Sequence, residues 1–377
     1  PNKPANEVTF TNHKNVFIPN LFFTGNLIQS VSHHKHLGLS LDNKLNFNQH
    51  IKEKIAKANT GIYAIRKLFD YLPRKTLLHI YKAFVRHHLD YCDVIYHRPC
   101  RDSLAQDSFK MIQNPNLTFT EKVESVQYNA ALAITGCIRG TSKEKIYNEL
   151  GIEPLYERRT FHRLLYFYKI KHDLVPAYLK NELPQTISSI YNTRHHVDSW
   201  INTRTTKYGN SFFPHCVSSW NNLSKFIKVS PSVNIFKKRY MGFLSVVGNS
   251  VFNIHNPRGI KLLTMLRVGL SHLREHKYQH NFRDTLNPFC PCDGKSIESV
   301  NHFLLRCPNY TLHRVVLFEN LNQIKDNMLF SIDSTDSQIL LYGKNTYTDQ
   351  INRRIIESTI MFLMNSTRFN EPLFKCR

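Results

Sequence analysis

The strongest constraint on the fold is an apolar repeat with helical spacing that begins near residue 50. Its members recur every three or four positions: Ile51, Ile55, Ala58, Ile62, Ile65 and Phe69. Such spacing places one apolar stripe along an amphipathic helix. Pro73 ends that helix, because a proline disfavours helical backbone in the residue before it. A second stripe follows at Leu77, Tyr81, Phe84 and His88, so the sequence predicts two packed helices.

Most of the remaining chain also shows helical patterns, whereas the first 45 residues have strand character. Short apolar runs there flank Thr24-Gly25-Asn26, a sequence suited to a hairpin turn. Farther on, Thr141 and Glu144 fit the start of a capped helix, and Gly151 fits its end. The stripe of a later helix consists of Leu263, Leu266, Leu270 and Leu273. The predicted fold class is mainly α with a small N-terminal β segment (α+β).

The charge of the chain favours one class of partner. The formal net charge is +22 at pH 7 and the sequence pI is about 9.7. A polyanion is the favoured partner, because neutralised phosphates release condensed counterions. A basic surface that serves solubility, or an acidic membrane, is the alternative. The predicted helix pair carries many cations, namely Lys52, Lys54, Lys57, Arg66, Lys67, Arg74, Lys75, Lys82 and Arg86.

A metal-binding pattern lies in the segment CPCDGKSIESVNHFLLRC, where Cys290, Cys292, His302 and Cys307 are candidate ligands. Zinc prefers four tetrahedral nitrogen or sulfur ligands, and three cysteines with one histidine form a common structural set. On an ideal helix His302 and Cys307 would point about 140° apart. Pro308 disfavours helix at Cys307, so this cysteine can turn back toward the histidine. The alternative is three reduced cysteines in a small core with an unrelated histidine.

Three weaker sets of candidates lie elsewhere. Arg267 and Arg274 lie together along one helix edge and could contact phosphates, or else pair with Glu275 or with backbone carbonyls. Three histidines at helical spacing are expected to form a polar face rather than a metal site: His272, His276 and His280. Three aromatic residues could stack on bases, although core packing is expected for the first two: Tyr63, Tyr81 and Trp220.

Five sequence blocks occur in the following order: HKHLGLSLDNKLNFNQHI, YKAFVRHHLDYCDVIY, SVQYNAALAITGCIRGTSKEKIYNELG, NSFFPHCVSSWNNL and RVGLSHLREHKYQHNFRDTLNPFCPC. Together these blocks resemble the C-terminal region of reverse transcriptases of non-LTR (LINE-type) retrotransposons of the jockey-like kind. The resemblance runs from about residue 5 to the end of the chain. The segment PCRDSLAQDSFKMIQNPNLTFTEK matches that family poorly, which leaves the packing around it open.

The resemblance implies a role for several blocks. HKHLGLSL resembles the last part of the polymerase palm, which holds the primer terminus, and the basic helix pair resembles the thumb, which grips the template–primer duplex. The cysteine-rich segment resembles the zinc knuckle that binds template RNA or target DNA. The expected partners are RNA and/or DNA, with no membrane and no small-molecule substrate. The expected nucleic-acid-binding residues are Lys35, His36, Lys52, Lys54, Lys57, Arg66, Lys67, Lys75, Lys82, Arg267, Arg274 and Lys277.

The same resemblance divides the chain into six expected parts. Residues 1–45 are the end of a palm with a β-hairpin, 46–96 the thumb-like helices, and 97–120 an irregular loop. A helical C-terminal region spans 121–250, a helix with the zinc knuckle spans 251–315, and a helical tail spans 316–377. Zinc is expected as a structural cofactor.

The chain alone is expected to lack polymerase activity. Polymerisation by two metal ions needs paired carboxylates, and the sequence contains no Asp-Asp pair. Asp90 and Asp93 are expected to cap or pair locally. The magnesium site would therefore belong to a palm upstream of Pro1, and the chain is expected to be a fragment or a decayed copy. The alternative is a degenerate or domesticated basic protein that serves protein interaction or general nucleic-acid binding. Scattered cysteines and the lack of a signal peptide favour a nuclear or cytoplasmic location.

Overall fold

The structure is a computed structural model that describes residues 6–10, 20–97, 119–184, 201–243, 254–324 and 335–370. Its strands are short and N-terminal: β1 (Asn6–Glu7), β2 (Phe22–Phe23), β3 (Asn26–Leu27), β4 (Gln29–Ser30), β5 (His33–His36) and β6 (Leu39–Asp42). β1 pairs with β4 in parallel, whereas β2 with β3 and β5 with β6 form antiparallel pairs. Thr24 and Gly25 turn the β2–β3 hairpin with φ of 48° and 79°, as the sequence predicted.

Helices make up most of the described chain, which confirms the mainly α class with a small N-terminal β region. The first helices are α1 (Asn48–Leu68), α2 (Arg74–Ile80), α3 (His87–Asp90), α4 (Asp93–Tyr96), α5 (Phe119–Thr135) and α6 (Lys143–Leu150). The middle group is α7 (Leu155–Lys171), α8 (Ala177–Asn181), α9 (Thr206–Gly209), α10 (Phe212–Asn221), α11 (Lys225–Lys228) and α12 (Val233–Phe243). The last group is α13 (Pro257–Arg267), α14 (Arg274–Gln279), α15 (Thr311–Asn322), α16 (Ser337–Tyr342) and α17 (Asp349–Asn365).

The second helix of the basic pair is not a uniform α-helix. A π-helical segment, Tyr81–Arg86, separates α2 from α3. Because π-helical bonds join residues five apart, the buried stripe advances there in steps of four. Its buried members are Leu77, Tyr81, Val85 and Leu89. The predicted stripe through Phe84 and His88 is therefore wrong, and Phe84 points to solvent.

Within the described ranges, the helices pack into three hydrophobic cores. The first joins α1, α2, α3, α5 and α6 with the end of α13, and the second joins α7, α10, α11 and α12. The third joins α13, α15, α16 and α17 with the turn at 302–306. The expected knuckle part (251–315) and tail (316–377) thus share one core, while α5 and α6 pack on the basic helix pair. Residues 98–118 of the expected irregular loop lie outside the described part of the chain.

The helix expected before the cysteines is broken. α13 ends at Arg267, and Gly269 adopts a left-handed φ of 74° before α14 begins at Arg274. Glycine adopts this φ without the strain that a side chain would bring. The two arginines therefore do not share a helix edge, which corrects that prediction. The leucine stripe itself is buried, as expected.

A buried ion cluster connects the first core to the third. The carboxylate of Glu149 in α6 accepts hydrogen bonds from Arg74 at 2.9 Å and from Arg267 at 2.7 Å. The Arg74 guanidinium also donates to Thr264 in α13, and Arg267 donates to the carbonyl of Leu341 in α16. The cluster therefore joins α2 and α6 to α13 and α16 through paired, buried charges.

His276 is buried, so the expected polar histidine face is wrong. Its Nδ1 lies 2.8 Å from the hydroxyl of Ser271, and His272 precedes the helix that carries His276. Burial lowers the pKa of His276 to about 4. In the unfolded chain the imidazole titrates near ~6.5. As the pH falls from 6.5 to 4, the imidazole of His276 becomes protonated in the unfolded chain but stays neutral in the folded protein. Protonation therefore favours the unfolded chain, and the free energy of unfolding decreases over this range.

We expect a His276→Gln variant to reveal this loss. The free energy of unfolding of the unmodified protein should fall by about 2 kcal/mol more than that of the variant between pH 7 and pH 5. The reason is that the histidine gains a proton on unfolding and the glutamine does not. Urea unfolding at a series of pH values measures the gap. Any metal released by acid affects both proteins alike. A deficit that is the same at pH 7 and pH 5 would contradict the assignment.

Candidate metal centre and cationic surface

A tight turn places Cys290 and Cys292 at the candidate metal centre. The amide of Cys290 donates to the carbonyl of Ser296 at 2.7 Å, and the amide of Gly294 donates to the carbonyl of Cys290 at 3.0 Å. Gly294 takes a left-handed φ of 65°, which a glycine adopts without strain. Asp293 closes the turn by accepting hydrogen bonds from the amide and the hydroxyl of Ser296. The turn thus fixes the Cys-x-Cys pair by backbone hydrogen bonds together with the Asp293 side chain.

The other two ligands belong to a π-helical turn, His302–Arg306, and to the residue that leaves it. The amide of Cys307 donates to the carbonyl of His302 at 2.6 Å, and Cys307 then turns out of the helix with ψ of 121°. The wider turn and the exit before Pro308 bring together two side chains that an ideal α-helix would separate. The predicted departure of Cys307 from the helix is confirmed.

The four ligand atoms converge. The sulfurs of Cys290 and Cys307 lie 3.7 Å apart, and the sulfur of Cys292 lies 3.4 Å from Nε2 of His302. All four atoms fall within 4.8 Å of one another. Cys292 is half-buried and the other three residues are buried. The group can therefore hold a metal ion, as the sequence pattern indicated.

Desolvation sets the protonation of the three thiols. It raises the pKa of Cys290 and of Cys307, and it raises the pKa of Cys292 to about 11. The thiols are therefore neutral at pH 7 until a cation binds. Metal binding must displace their protons, because a metal is held by the thiolate form.

Two arginines, Arg314 (buried) and Arg368 (half-buried), fix the backbone around the centre. Arg314 in α15 donates to the carbonyls of Leu304 and Cys307 at 3.0 Å and 2.7 Å, which fixes the exit from the π-helical turn. Arg368 pairs with the buried carboxylate of Glu298 at 2.8 Å. Sequence patterns did not single out these residues, because their partners lie on other elements.

Most residues predicted to bind nucleic acid are exposed. The exposed members are Lys35, His36, Lys52, Lys57, Arg66, Lys67, Lys75 and Lys82. On α1 the core side consists of buried residues such as Ala58, Ile62 and Ile65. Lys52 and Lys67 are exposed on the side of α1 away from these residues, and the helical period places them about 60° apart. The first two helices therefore carry a strongly positive outer face.

Four other predicted contacts are less accessible. Lys54 is half-buried and its Nζ lies 3.9 Å from the centroid of the Tyr91 ring. Arg274 and Lys277 are also half-buried, and Lys277 pairs with Asp284. The side chain of Arg267 is only 1% exposed. Arg267 cannot reach a phosphate, because its guanidinium is enclosed and bound to other groups, and that prediction is wrong.

The three aromatic candidates for base stacking differ in their exposure to solvent. Tyr81 and Trp220 are buried in cores, which confirms core packing for Tyr81 and removes Trp220 from the stacking candidates. Tyr63, expected in the core, is 62% exposed on the outer face of α1. The ammonium of Lys67 lies 5.6 Å from its ring centroid. Tyr63 thus adds an aromatic surface to the cationic face of α1.

Asp90 and Asp93 pair mostly across elements rather than locally. Asp90 accepts a hydrogen bond from Arg158 in α7 at 2.9 Å, with Arg86 of its own helix 3.8 Å away. Asp93 bonds Nδ1 of His162 at 2.7 Å. Ligand atoms of the two aspartates and His162 lie within 4.8 Å of one another. An arginine already neutralises Asp90, so the two carboxylates are accounted for by an ion pair and a hydrogen bond to residues of α7.

The chain matches no protein-family model, no curated protein and no solved structure. The fold and the site therefore define its class: a mainly helical chain with a Cys₃His group that can hold a metal ion. In the described ranges, no helix has both the length and the apolar composition that crossing a membrane requires. The resemblance to reverse transcriptases stays a prediction.

Proposed function

We propose that this chain is a nucleic-acid-binding part of a retrotransposon reverse transcriptase, with α1 and α2 gripping template–primer or target nucleic acid. The observation that carries the proposal is the outer face of α1, where cations and an exposed tyrosine lie opposite an apolar core face. The five sequence blocks support the family, the jockey-like LINE-type elements. Cations and an exposed aromatic ring can bind either nucleic acid, which supports RNA and DNA as partners.

The charge pattern on α1 supports phosphate binding rather than a merely soluble surface. Lys52, Arg66 and Lys67 are exposed along one side, and Tyr63 lies among them. Lys35 in β5 pairs with Glu53 of α1 at 3.9 Å, and exposed pairs of this kind contribute little. Within the described residues, Lys52, Arg66 and Lys67 form no ion pair. A row of cations beside an aromatic ring is the composition that tracks a nucleic-acid backbone.

The Cys₃His geometry fits zinc. For a tetrahedron with zinc–sulfur bonds of about 2.3 Å, two sulfurs lie ~3.8 Å apart, and a sulfur and a nitrogen lie ~3.6 Å apart. The observed separations of 3.7 Å and 3.4 Å agree with these edges. Cys290, Cys292, His302 and Cys307 would hold the ion, and it would supply structural rigidity rather than chemistry. Four protein ligands close the coordination shell, so a substrate has no open position.

The proposed function is binding and not catalysis by this chain alone. Two-metal phosphoryl transfer needs carboxylates that are free to hold ions, and the sequence has no Asp-Asp pair. The closest substitute, Asp90 with Asp93, is engaged by Arg158 and His162. Magnesium would therefore belong to a palm on another segment, as the family resemblance implies.

Charge reversal on α1 tests the proposal. A Lys52→Glu/Lys57→Glu double variant should bind a template–primer duplex roughly tenfold more weakly. The slope of log K against log salt should become shallower by about 1.8, since each lost phosphate contact removes ~0.9. Fluorescence anisotropy across a salt series measures both quantities.

A matched control is Arg353→Glu/Arg354→Glu on α17, which changes the net charge equally at exposed positions far along the chain. It should keep the affinity and the slope of the unmodified protein. Equal losses in both variants would show a diffuse effect of net charge. Binding that responds weakly to salt in the unmodified protein would rule the proposal out.

A second candidate function, protein interaction by a domesticated copy, has one observation in its favour. α15 exposes apolar side chains, with Leu312 at 80%, Val315 at 51% and Val316 at 46%. Exposed apolar residues that lie together mark protein contacts more often than scattered ones do. A protein unable to bind nucleic acid in the salt series would favour this second function.

A further inference from the structure

A second cationic surface lies on α11 and α12, in residues 225–241, apart from the α1 face. Its exposed or half-buried cations are Lys225, Lys228, Lys237, Lys238 and Arg239. The buried side of α12, with Phe236 and Tyr240, packs into the second core. Lys237 and Lys238 point away from that core. We call residues 225–241 the α11–α12 surface.

An exposed aromatic ring is fixed on the α11–α12 surface by Arg239. The side chain of Phe226 is 62% exposed although it is large and apolar. The guanidinium of Arg239 lies 4.0 Å from the ring centroid. Arg239 also donates hydrogen bonds to the carbonyl of Phe226 at 2.6 Å and to the hydroxyl of Ser230 at 3.4 Å. The arginine thus holds the residue in place by its backbone and covers part of its ring, while most of the side chain stays open.

The surrounding charge is of one sign. No Asp or Glu occurs in the sequence between Asp198 and Glu275, a feature that signals the surface without any structure. Within the described residues, Lys237 and Lys238 form no ion pair with a carboxylate. An excess of cations with no acidic partner attracts a polyanion.

The shape of the surface favours a single strand of nucleic acid over a duplex or a membrane. A flat ring beside lysines provides a stacking platform with phosphate contacts on its flank, which is how single strands are bound without sequence preference. A membrane-bound helix would need a continuous apolar face, whereas the apolar face of α12 is occupied by the second core. A duplex hides its bases from an aromatic ring.

We infer that the α11–α12 surface binds single-stranded RNA or DNA, with Phe226 stacking on a base and Lys237 and Lys238 contacting phosphates. The inference rests on the proposed function only for the class of ligand, since it concerns a different surface. Arg239 is a positioning residue, because it holds Phe226. The chain would then hold a duplex at α1 and an unpaired strand at α11–α12.

The test is anisotropy binding of the full chain to labelled oligo-uridine and oligo-deoxythymidine of about 15 nucleotides, which spans a typical single-strand site. Phe226→Ala should weaken binding about tenfold, and Phe226→Tyr should restore it, since either ring stacks. Lys237→Glu/Lys238→Glu should make the salt slope shallower by about 1.4. Thermal melting shows whether each variant remains folded.

Several outcomes would overturn the inference. Unchanged oligonucleotide binding by either Phe226→Ala or Lys237→Glu/Lys238→Glu is one of them. A second is loss of binding to phosphatidylserine vesicles in Phe226→Ala equal to its loss of oligonucleotide binding. If Lys52→Glu/Lys57→Glu loses duplex binding while Phe226→Ala keeps single-strand binding, this surface fails and the proposed function stands. If Phe226→Ala loses single-strand binding while Lys52→Glu/Lys57→Glu keeps duplex binding, the α11–α12 surface is supported and duplex binding by α1 is ruled out.

Discussion

A Cys292→Ser variant is expected to lose its metal and the order of the segment around it. The protein purified without chelator should contain about one zinc per chain, and the variant nearly none, because three ligands hold structural zinc poorly. Structural zinc contributes roughly 10 kcal/mol or more to folding in small zinc-binding domains. Elemental analysis measures the metal, and amide hydrogen exchange should increase over residues 285–310.

Cys292 is the best position for this substitution because it is half-buried, whereas Cys290 and Cys307 are enclosed. Serine there leaves no large cavity, so loss of order reports loss of the ion. The matched control is Cys92→Ser, a half-buried free cysteine outside the cluster, which should keep both metal and order. Zinc retained in Cys292→Ser at the level of the unmodified protein would contradict the four-ligand site.

Glu149→Gln is expected to cost about 3–5 kcal/mol in the free energy of unfolding, which is the usual effect of breaking a buried ion pair. The variant removes the negative charge that Glu149 places beside the enclosed guanidinium groups of Arg74 and Arg267. Burial already lowers the pKa of Arg74, and the carboxylate of Glu149 opposes that shift. Urea unfolding at pH 7 measures the change, and the contact between the first and third cores should weaken with it.

The control for this variant is Glu144→Gln, an exposed position on the same helix, α6. It removes the same charge from the same helix and should change stability by less than about 0.5 kcal/mol. Equal effects of the two substitutions would show that the ion cluster stabilises nothing specific. A large effect in Glu149→Gln alone would identify the cluster as the connection between the two cores.

Local sequence patterns predicted where helices occur better than they predicted which side chains of each helix are buried. The stripe of α1 appeared in the sequence because helical periodicity is a local property. The stripe of the second helix was predicted wrongly at Phe84, since the π-helical turn at Tyr81–Arg86 has no signature in the apolar spacing. A π-helical turn at His302–Arg306 also brings His302 and Cys307 together at the metal site. There Pro308 indicated in the sequence that Cys307 leaves the helix.

Burial of charge could not be predicted in the same way. Arg74 and Arg267 look like other surface cations in the sequence, and only the approach of Glu149 makes them internal. Tyr63 shows the reverse case, because it lies outside although core packing was expected. The partner that buries the two arginines, Glu149, is 75 positions from Arg74 and 118 from Arg267.

The sequence by itself determined the mainly helical class, the hairpin at Thr24-Gly25, the four candidate ligands and the excess of positive charge. Each of these is set by spacing or composition, which act locally or sum over the chain. The tertiary structure decided which cations are buried, which aromatic rings stay open and how the helices divide among three cores. Those outcomes depend on contacts between distant elements, because desolvation and pairing are properties of the packed chain.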